Sequence, residues 1–237
     1  MPESSLWFRT ICLKNNLPVS DGQLELLEKY ASLLTSWNQK VNLISRKDTE
    51  NVWANHILHC VSLLFVLRIA DKAKVVDLGT GGGLPGIPLK IMMPALELVM
   101  IDSTQKKILA VQNMIGELGL DGASAVWGRG EELTSKREFV HRFNYVVARA
   151  VAPLADLVKI GVNLLSSQKV GEVGGGPENR PLVESPSLIA FKGGDLDEEV
   201  RRVGTRKDVR SVDVRPLVFH GSEEISLSDK KVVIVGF

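Results

Sequence analysis

An apolar run, Val75-Val76-Asp77-Leu78, leads directly into glycines at 79, 81, 83 and 86 and then into a helical pattern, all within VVDLGTGGGLPGIPL (75–89). A strand that turns this tightly into a helix needs residues free to take positive φ, and bare backbone there lets a ligand approach closely. Open α/β sheets bind ligands beyond the carboxyl ends of their strands. The segment therefore predicts a sheet whose first strand ends at a ligand site. Pro85 suits the first helical turn, where a missing N–H does no harm.

The rest of the chain fits such a sheet. Before Lys72 the apolar spacing is helical: Leu24, Leu27, Tyr30, Ala31, Leu34 and Trp37 recur at three- and four-residue steps after a cap at Ser20 or Asp21. Residues 4–16 and 49–69 follow the same period. After Lys72, apolar runs at 74–79, 96–102, 123–128, 144–149, 187–193, 212–219 and 231–237 alternate with helical stretches at 86–92, 104–118, 153–165 and 195–203. That alternation predicts an α/β fold: a doubly wound, mostly parallel seven-stranded Rossmann-like sheet. The last two runs have only turn-rich sequence between them and predict an antiparallel hairpin at the sheet edge, as in the methyltransferase variant of the fold. The expected organisation is an N-terminal helical region over 1–71 and a ligand-binding domain over 72–237. The stretch 166–186 is rich in Gly, Pro and charge and predicts a long mobile loop, either a surface insertion or an RNA-contacting flap.

Two acids narrow the ligand. Gly81 to Gly86 also matches GxGxxG, the dinucleotide fingerprint. Asp77, two residues before Gly79, would repel a pyrophosphate but suits a cationic amino-acid group such as the ammonium of S-adenosylmethionine. Asp102 closes LELVMID, 23 residues past Gly79. A carboxylate there is placed to accept hydrogen bonds from a ribose diol, and it suits NAD and S-adenosylmethionine alike. The turn after ASAVWG carries Gly130 and Glu131, placed to bond an adenine edge. Helix N-capping is the plain alternative for either acid.

Bulk properties exclude other classes. The net charge is +1, from 29 basic and 28 acidic residues, so any nucleic-acid surface is local. Cys12 and Cys60 are the only cysteines and lack CxxC spacing, which gives neither a zinc signature nor a disulfide framework. His56 and His59 share a helix face, but no further ligand accompanies them, so no metal is expected. The longest apolar run, 61–67, is too short to span a bilayer. A cytoplasmic protein, monomeric by default, is the expectation.

The sequence resembles the glucose-inhibited division protein B family, the small-subunit (16S) ribosomal RNA guanine-N7 methyltransferases. The resemblance runs from LLTSWNQKVNLISRKD (33–48) and NHIL (55–58) through the glycine segment, IDSTQKK (101–107) and GRGEEL (128–133) to ARAVAPL (148–154) and AFKGG (190–194). Trp37-Asn38, Asn42-Leu43 and GTGGGLPGIPL together are specific to it. The family usually shows Asp and Ser after HIL, where this chain has His59 and Cys60. The resemblance implies that Gly79, Gly81, Leu84, Gly130 and Glu131 line an S-adenosylmethionine pocket with Asp102 on the ribose. It implies that Arg149 sits at the active-site mouth near cofactor and target, and that Lys106 and Lys192 face RNA. Guanine N7 carries a free lone pair, so this chemistry requires no general base. Three readings compete: an NAD-dependent oxidoreductase, a non-catalytic RNA-binding protein on the same fold, and a methyltransferase acting on another RNA or a small molecule.

Overall fold

A computed structural model describes residues 4–168, 174–175, 179–224 and 229–237. The chain opens with helices α1 (Ser5–Lys14) and α2 (Asp21–Asn38). Ser20 caps α2 through a reciprocal bond with Gln23, satisfying two end groups at once. The helix expected over 49–69 is broken. A 3-10 segment (Arg46–Asn51) and a π-helical turn (Trp53–Leu58) precede the short α3 (His59–Val61) and α4 (Leu63–Val66). π-Helical turns are rare and concentrate at functional sites. This one packs over the strand ends.

Strand β1 (Ile69–Ala70) is followed by β2 (Lys74–Leu78), α5 (Gly86–Met92), β3 (Glu97–Asp102), α6 (Gln105–Leu118), β4 (Ala123–Trp127), α7 (Gly130–Leu133), β5 (Tyr145–Arg149), α8 (Leu154–Leu164) and β6 (Gly174–Gly175). The chain closes with β7 (Ser187–Gly193), α9 (Asp197–Gly204), β8 (Ser211–Pro216) and β9 (Lys230–Gly236). The main sheet has seven strands in the order β4-β3-β2-β5-β7-β9-β8. β9 runs antiparallel to both of its neighbours and the other pairings are parallel. The predicted hairpin is present, with β9 inserted between β7 and the edge strand β8. The sixth run stops short of 219: Phe219 turns inward and packs against Phe65, ring centroids 4.9 Å apart.

The helical region and one face of the sheet share a single apolar core. Phe8, Leu27, Leu34, Ile57 and Leu63 lie in the same buried cluster as Val75, Met100, Ile108 and Val147. The opposite face is covered by α8 and α9, with Val76, Val146, Leu157 and Val203 in a second cluster. Side chains alternate between the faces along each strand, so Val75 and Val76 enter different cores.

The expected mobile loop needs correction over its described part. Residues 169–173 and 176–178 lie outside the described residues. Gly174 and Gly175 pair with β1 in a small second sheet. Arg68 N–H bonds Pro181 O and Val183 N–H bonds Arg68 O, both at 2.9 Å. The Arg180 guanidinium donates to the carbonyls of Leu64 and Asn15, and the Tyr145 hydroxyl donates to Val183 O at 2.7 Å. These bonds fasten the segment against the helical region. Composition alone missed this because its partners lie more than a hundred residues earlier for Arg68 and Leu64.

Candidate active site

An open cleft of about 420 Å³ lies beyond the carboxyl ends of β2 to β5, with Gly79, Asp102, Gly130, Glu131 and Val151 on its walls. Its volume is in the range of small-molecule sites. A second hollow of about 660 Å³ opens among Thr35, Asn38, Lys40 and Asn42, and no strand end contributes to it.

The glycine turn is rigidly held. Gly79, Gly81 and Gly83 have φ of 68°, 58° and 91°, conformations that side chains rarely tolerate. A methyl group at Gly79 would sit 2.5 Å from the side chain of Val151 across the cleft. The helical region braces the turn from outside. The buried Tyr30 hydroxyl donates to Gly82 O at 2.9 Å, and Leu34 and Leu43 close over Gly82. Asn38 Oδ1 accepts from the N–H groups of Leu43 and Ile44 at 2.8 and 3.0 Å, which sets the bend delivering Leu43. Trp37 Nε1 donates to Asn113 on α6 at 2.9 Å. The Trp37-Asn38…Leu43 signature thus holds the ligand turn from the second layer.

Asp77 lies beneath that turn, fully buried. Its Oδ2 accepts from Thr80 Oγ1 at 2.6 Å and from Gly86 N–H at 3.0 Å, while Oδ1 is buried without a hydrogen-bond partner. Burial pushes its carboxyl up to about 7, opposed by the Thr80 and Gly86 bonds and by the nearby Arg149 charge. A buried acid with one unsatisfied oxygen stands ready for a positive charge. Asp102 has both oxygens at work: Oδ2 accepts from Gly81 N–H at 3.0 Å and Oδ1 from Thr104 N–H at 2.8 Å. The Thr104 bond closes a turn ahead of α6 rather than capping the helix, whose N-cap is Thr104 itself. It is Asp77 that bonds the first N–H of α5, and the Asp102 carboxylate lines the cleft.

Arg149 ends β5 on the other side of β2 from Asp102. Its guanidinium donates to Asn55 O at 3.2 Å, to His56 Nδ1 at 3.0 Å and more distantly to His59 Nδ1 at 3.4 Å. The following Ala150 has φ of 55°, a strained position for a residue with a side chain, of the kind found at ligand sites. Burial, followed by the Arg149 charge, lowers His59 to about 3. Burial raises the Cys60 thiol to about 12, which makes it inert.

The remaining expected residues separate. Leu84 is buried in the core cluster rather than on the cleft wall. Lys106 is exposed in the first turn of α6. Lys192 does not project freely toward solvent: Nζ bonds Ala152 O and Glu199 Oε2, both at 2.9 Å, and only 15% of the side chain is exposed. It fastens the 150–153 turn to α9. The sequence carried no signal for this, because Glu199 was one of several acids on a polar helix. Nor does the sequence single out Tyr30, Thr80 or Val151; Tyr30 shows there only as part of the helical apolar spacing. No group of three or more His, Cys, Asp or Glu gathers among the described residues, and none of their helices is long and apolar enough to cross a membrane.

Residues 23–172 match the sequence profile of the GidB family, described as rRNA small subunit methyltransferase G. The chain is 37% identical over 229 residues to the ribosomal RNA small subunit methyltransferase G of Chlorobaculum tepidum, covering 94% of each chain. It is 38% identical over 217 residues to the protein of that name from Parabacteroides distasonis, covering 92% of this chain and 84% of the other. Among solved structures, TYW2 of M. jannaschii in complex with AdoMet superposes with a TM-score of 0.51 at 12% identity, over 81% of this chain and 76% of that one. A predicted O-methyltransferase from Agrobacterium tumefaciens gives 0.51 at 12% identity, over 76% and 79%. Those two likenesses concern the fold.

Proposed function

Because this chain belongs to the rRNA small subunit methyltransferase G family, we propose that it transfers the methyl group of S-adenosylmethionine to N7 of a guanine in small-subunit (16S) ribosomal RNA. The observation that carries this reading is the pairing of two acids with the glycine turn: Asp102 on the cleft wall, and Asp77 beneath the turn with a buried, unpartnered oxygen. A cationic nucleoside with an amino-acid tail satisfies both. A dinucleotide pyrophosphate would meet the Asp77 carboxylate with like charge, which counts against the oxidoreductase reading.

Bound S-adenosylmethionine supplies a sulfonium-activated methyl group. The chain's residues do the rest. Asp102 accepts from the ribose, Gly130 and Glu131 bond the adenine edge, and the bare backbone at Gly79 and Gly81 admits the ligand. Asp77 gives the cationic end its counter-charge. Arg149, held by neutral acceptors, orients the ligand and the target base at the end of β5. Leu84 supports the turn from the core, Lys106 meets RNA phosphate, and Lys192 fixes the turn that carries Val151. Guanine N7 needs no deprotonation, so alignment of nucleophile, methyl carbon and sulfur is the main task. Orientation alone can supply about 7–11 kcal/mol in favourable cases. The same reading makes the protein cytoplasmic, supported by two free, buried cysteines, with a monomer as the default assembly.

The test is transfer of tritiated methyl from S-adenosylmethionine to purified small-subunit particles and to naked 16S rRNA, with the product mapped. A single N7-methylguanine in 16S rRNA is expected. Label absent from both RNAs, or placed on another atom, would overturn the assignment.

A further inference from the structure

Trp127 is the last residue of β4, and 56% of its surface is exposed. Single exposed apolar side chains are common on protein surfaces, so what sets this one apart is how the ring is held and what charges lie near it in the chain. The ring is fixed: Nε1 donates to Ser103 O at 3.0 Å, and the strand register sets Trp127 beside Asp102. Ser103 and Arg129 line the cleft and Trp127 does not. The indole therefore stands outside the nucleoside end of the cleft, pinned at its edge. Arg129, two residues on in the chain, and Lys106, three past the Ser103 that holds the indole, are exposed, and Lys107 is half-buried. None of the three has an ion-pair partner among the described residues. Of the acids on the same rim, Glu131 faces the cleft and Glu132 reaches back to the Arg129 backbone N–H.

We infer that Trp127 is a stacking platform for an unpaired base of the RNA substrate, with Lys106, Lys107 and Arg129 meeting the flanking phosphates. The inference rests on the RNA-methyltransferase reading above and adds a contact outside the methyl-transfer site. RNA is recognised largely through splayed bases stacked on aromatic rings, because its duplex hides the base edges. A flat ring bordered by unpaired cations is the arrangement that binds single strands with little regard to sequence. A pinned indole has little side-chain freedom left to lose. Cations without acidic partners favour a polyanion over a second protein surface. Methylating one base while stacking another would hold the strand on both sides of the target.

The test compares wild type, Trp127→Ala, Trp127→Phe and, as a control at a distant exposed apolar site, Val218→Ala. The measurements are direct binding to 16S rRNA and to small-subunit particles, KM for the RNA, affinity for S-adenosylmethionine, and oligomeric state. Trp127→Ala should weaken RNA binding and raise its KM by about tenfold, the scale of one lost stack. Trp127→Phe should recover most of that, and cofactor affinity should hold in both. Unchanged RNA binding in Trp127→Ala would overturn the inference. So would a parallel loss of cofactor affinity, which would make the ring a cofactor wall, or a loss of self-association, which would make it a dimer contact. If wild type binds the RNA but does not methylate it, the proposed function fails and the binding comparison still decides the role of Trp127.

Discussion

Arg149 donates from Nη2 to Nδ1 of His56 across 3.0 Å. Arginine can only donate, so this imidazole nitrogen accepts and the ring is neutral with its proton on Nε2. The other acceptors, Asn55 O and His59 Nδ1, are also neutral. Among the described residues no carboxylate pairs directly with the guanidinium, so it is oriented without being neutralised and its charge stays available at the end of β5. Arg149→Ala should lower methyl transfer to small-subunit particles by at least about a hundredfold, the effect of losing one preorganised donor. Circular dichroism should show the fold intact. Near-native turnover in that variant would remove Arg149 from the site.

His59 and Asp77 bias stability with opposite sign over the same pH range. His59 falls from 6.5 to about 3 on folding, through burial and then Arg149. Its stabilisation is present above pH 6.5 and is lost as pH falls toward 3. Asp77 rises from 3.8 to about 7 through burial. Its stabilisation is full below pH 3.8 and is lost as pH rises through 7. Each slope is at most about 1.4 kcal/mol per pH unit, and in wild type they offset between about pH 4 and 6.5. Urea unfolding should show His59→Gln losing stability with rising pH relative to wild type, and Asp77→Asn gaining it. Parallel profiles for all three proteins would show that neither group titrates as its surroundings dictate.

The same acid makes cofactor binding proton-linked. A cationic ligand beside Asp77 favours the carboxylate and lowers its pKa again. Below pH 7 binding should therefore release up to one proton. Calorimetry in buffers of differing ionisation enthalpy should give a release that is large at pH 6, near zero at pH 8.5, and absent in Asp77→Asn. A buffer-independent enthalpy at pH 6 would mean that the ligand's charge lies away from Asp77.

The glycine turn and both acids were legible because each needs a particular residue at a particular strand end: a side chain at Gly79 would combine φ of 68° with a clash against Val151, and Asp102 sits one strand over. The strands were legible because their apolar runs are bounded by turn residues. What stayed hidden depends on distant partners. Lys192 reads as a free cation until α9 brings Glu199 to it. Tyr30 reads as core until its hydroxyl finds Gly82 O. The π-helical turn at 53–58 keeps a helical apolar period, so periodicity could not separate it from a regular helix. Arg180 lies in a segment whose composition signals a loop, yet its guanidinium is held by carbonyls from the helical region.

Asp102 should carry the ribose end of the ligand and nothing of its methionine end. Its two oxygens already accept from Gly81 and Thr104 N–H, and each keeps a further lone pair for a hydroxyl. Asp102→Ala removes that acceptor and also releases the Gly81 turn. Affinity for S-adenosylmethionine should fall at least about tenfold, the scale of a hydrogen bond to a charged group. Adenosine shares the ribose, so it should lose a similar factor by calorimetry. Asp77→Asn should weaken S-adenosylmethionine while leaving adenosine unchanged, because adenosine carries no cation. If Asp102→Ala weakened the full cofactor but spared adenosine, the carboxylate would belong to the methionine end, and the ligand would lie reversed along the cleft.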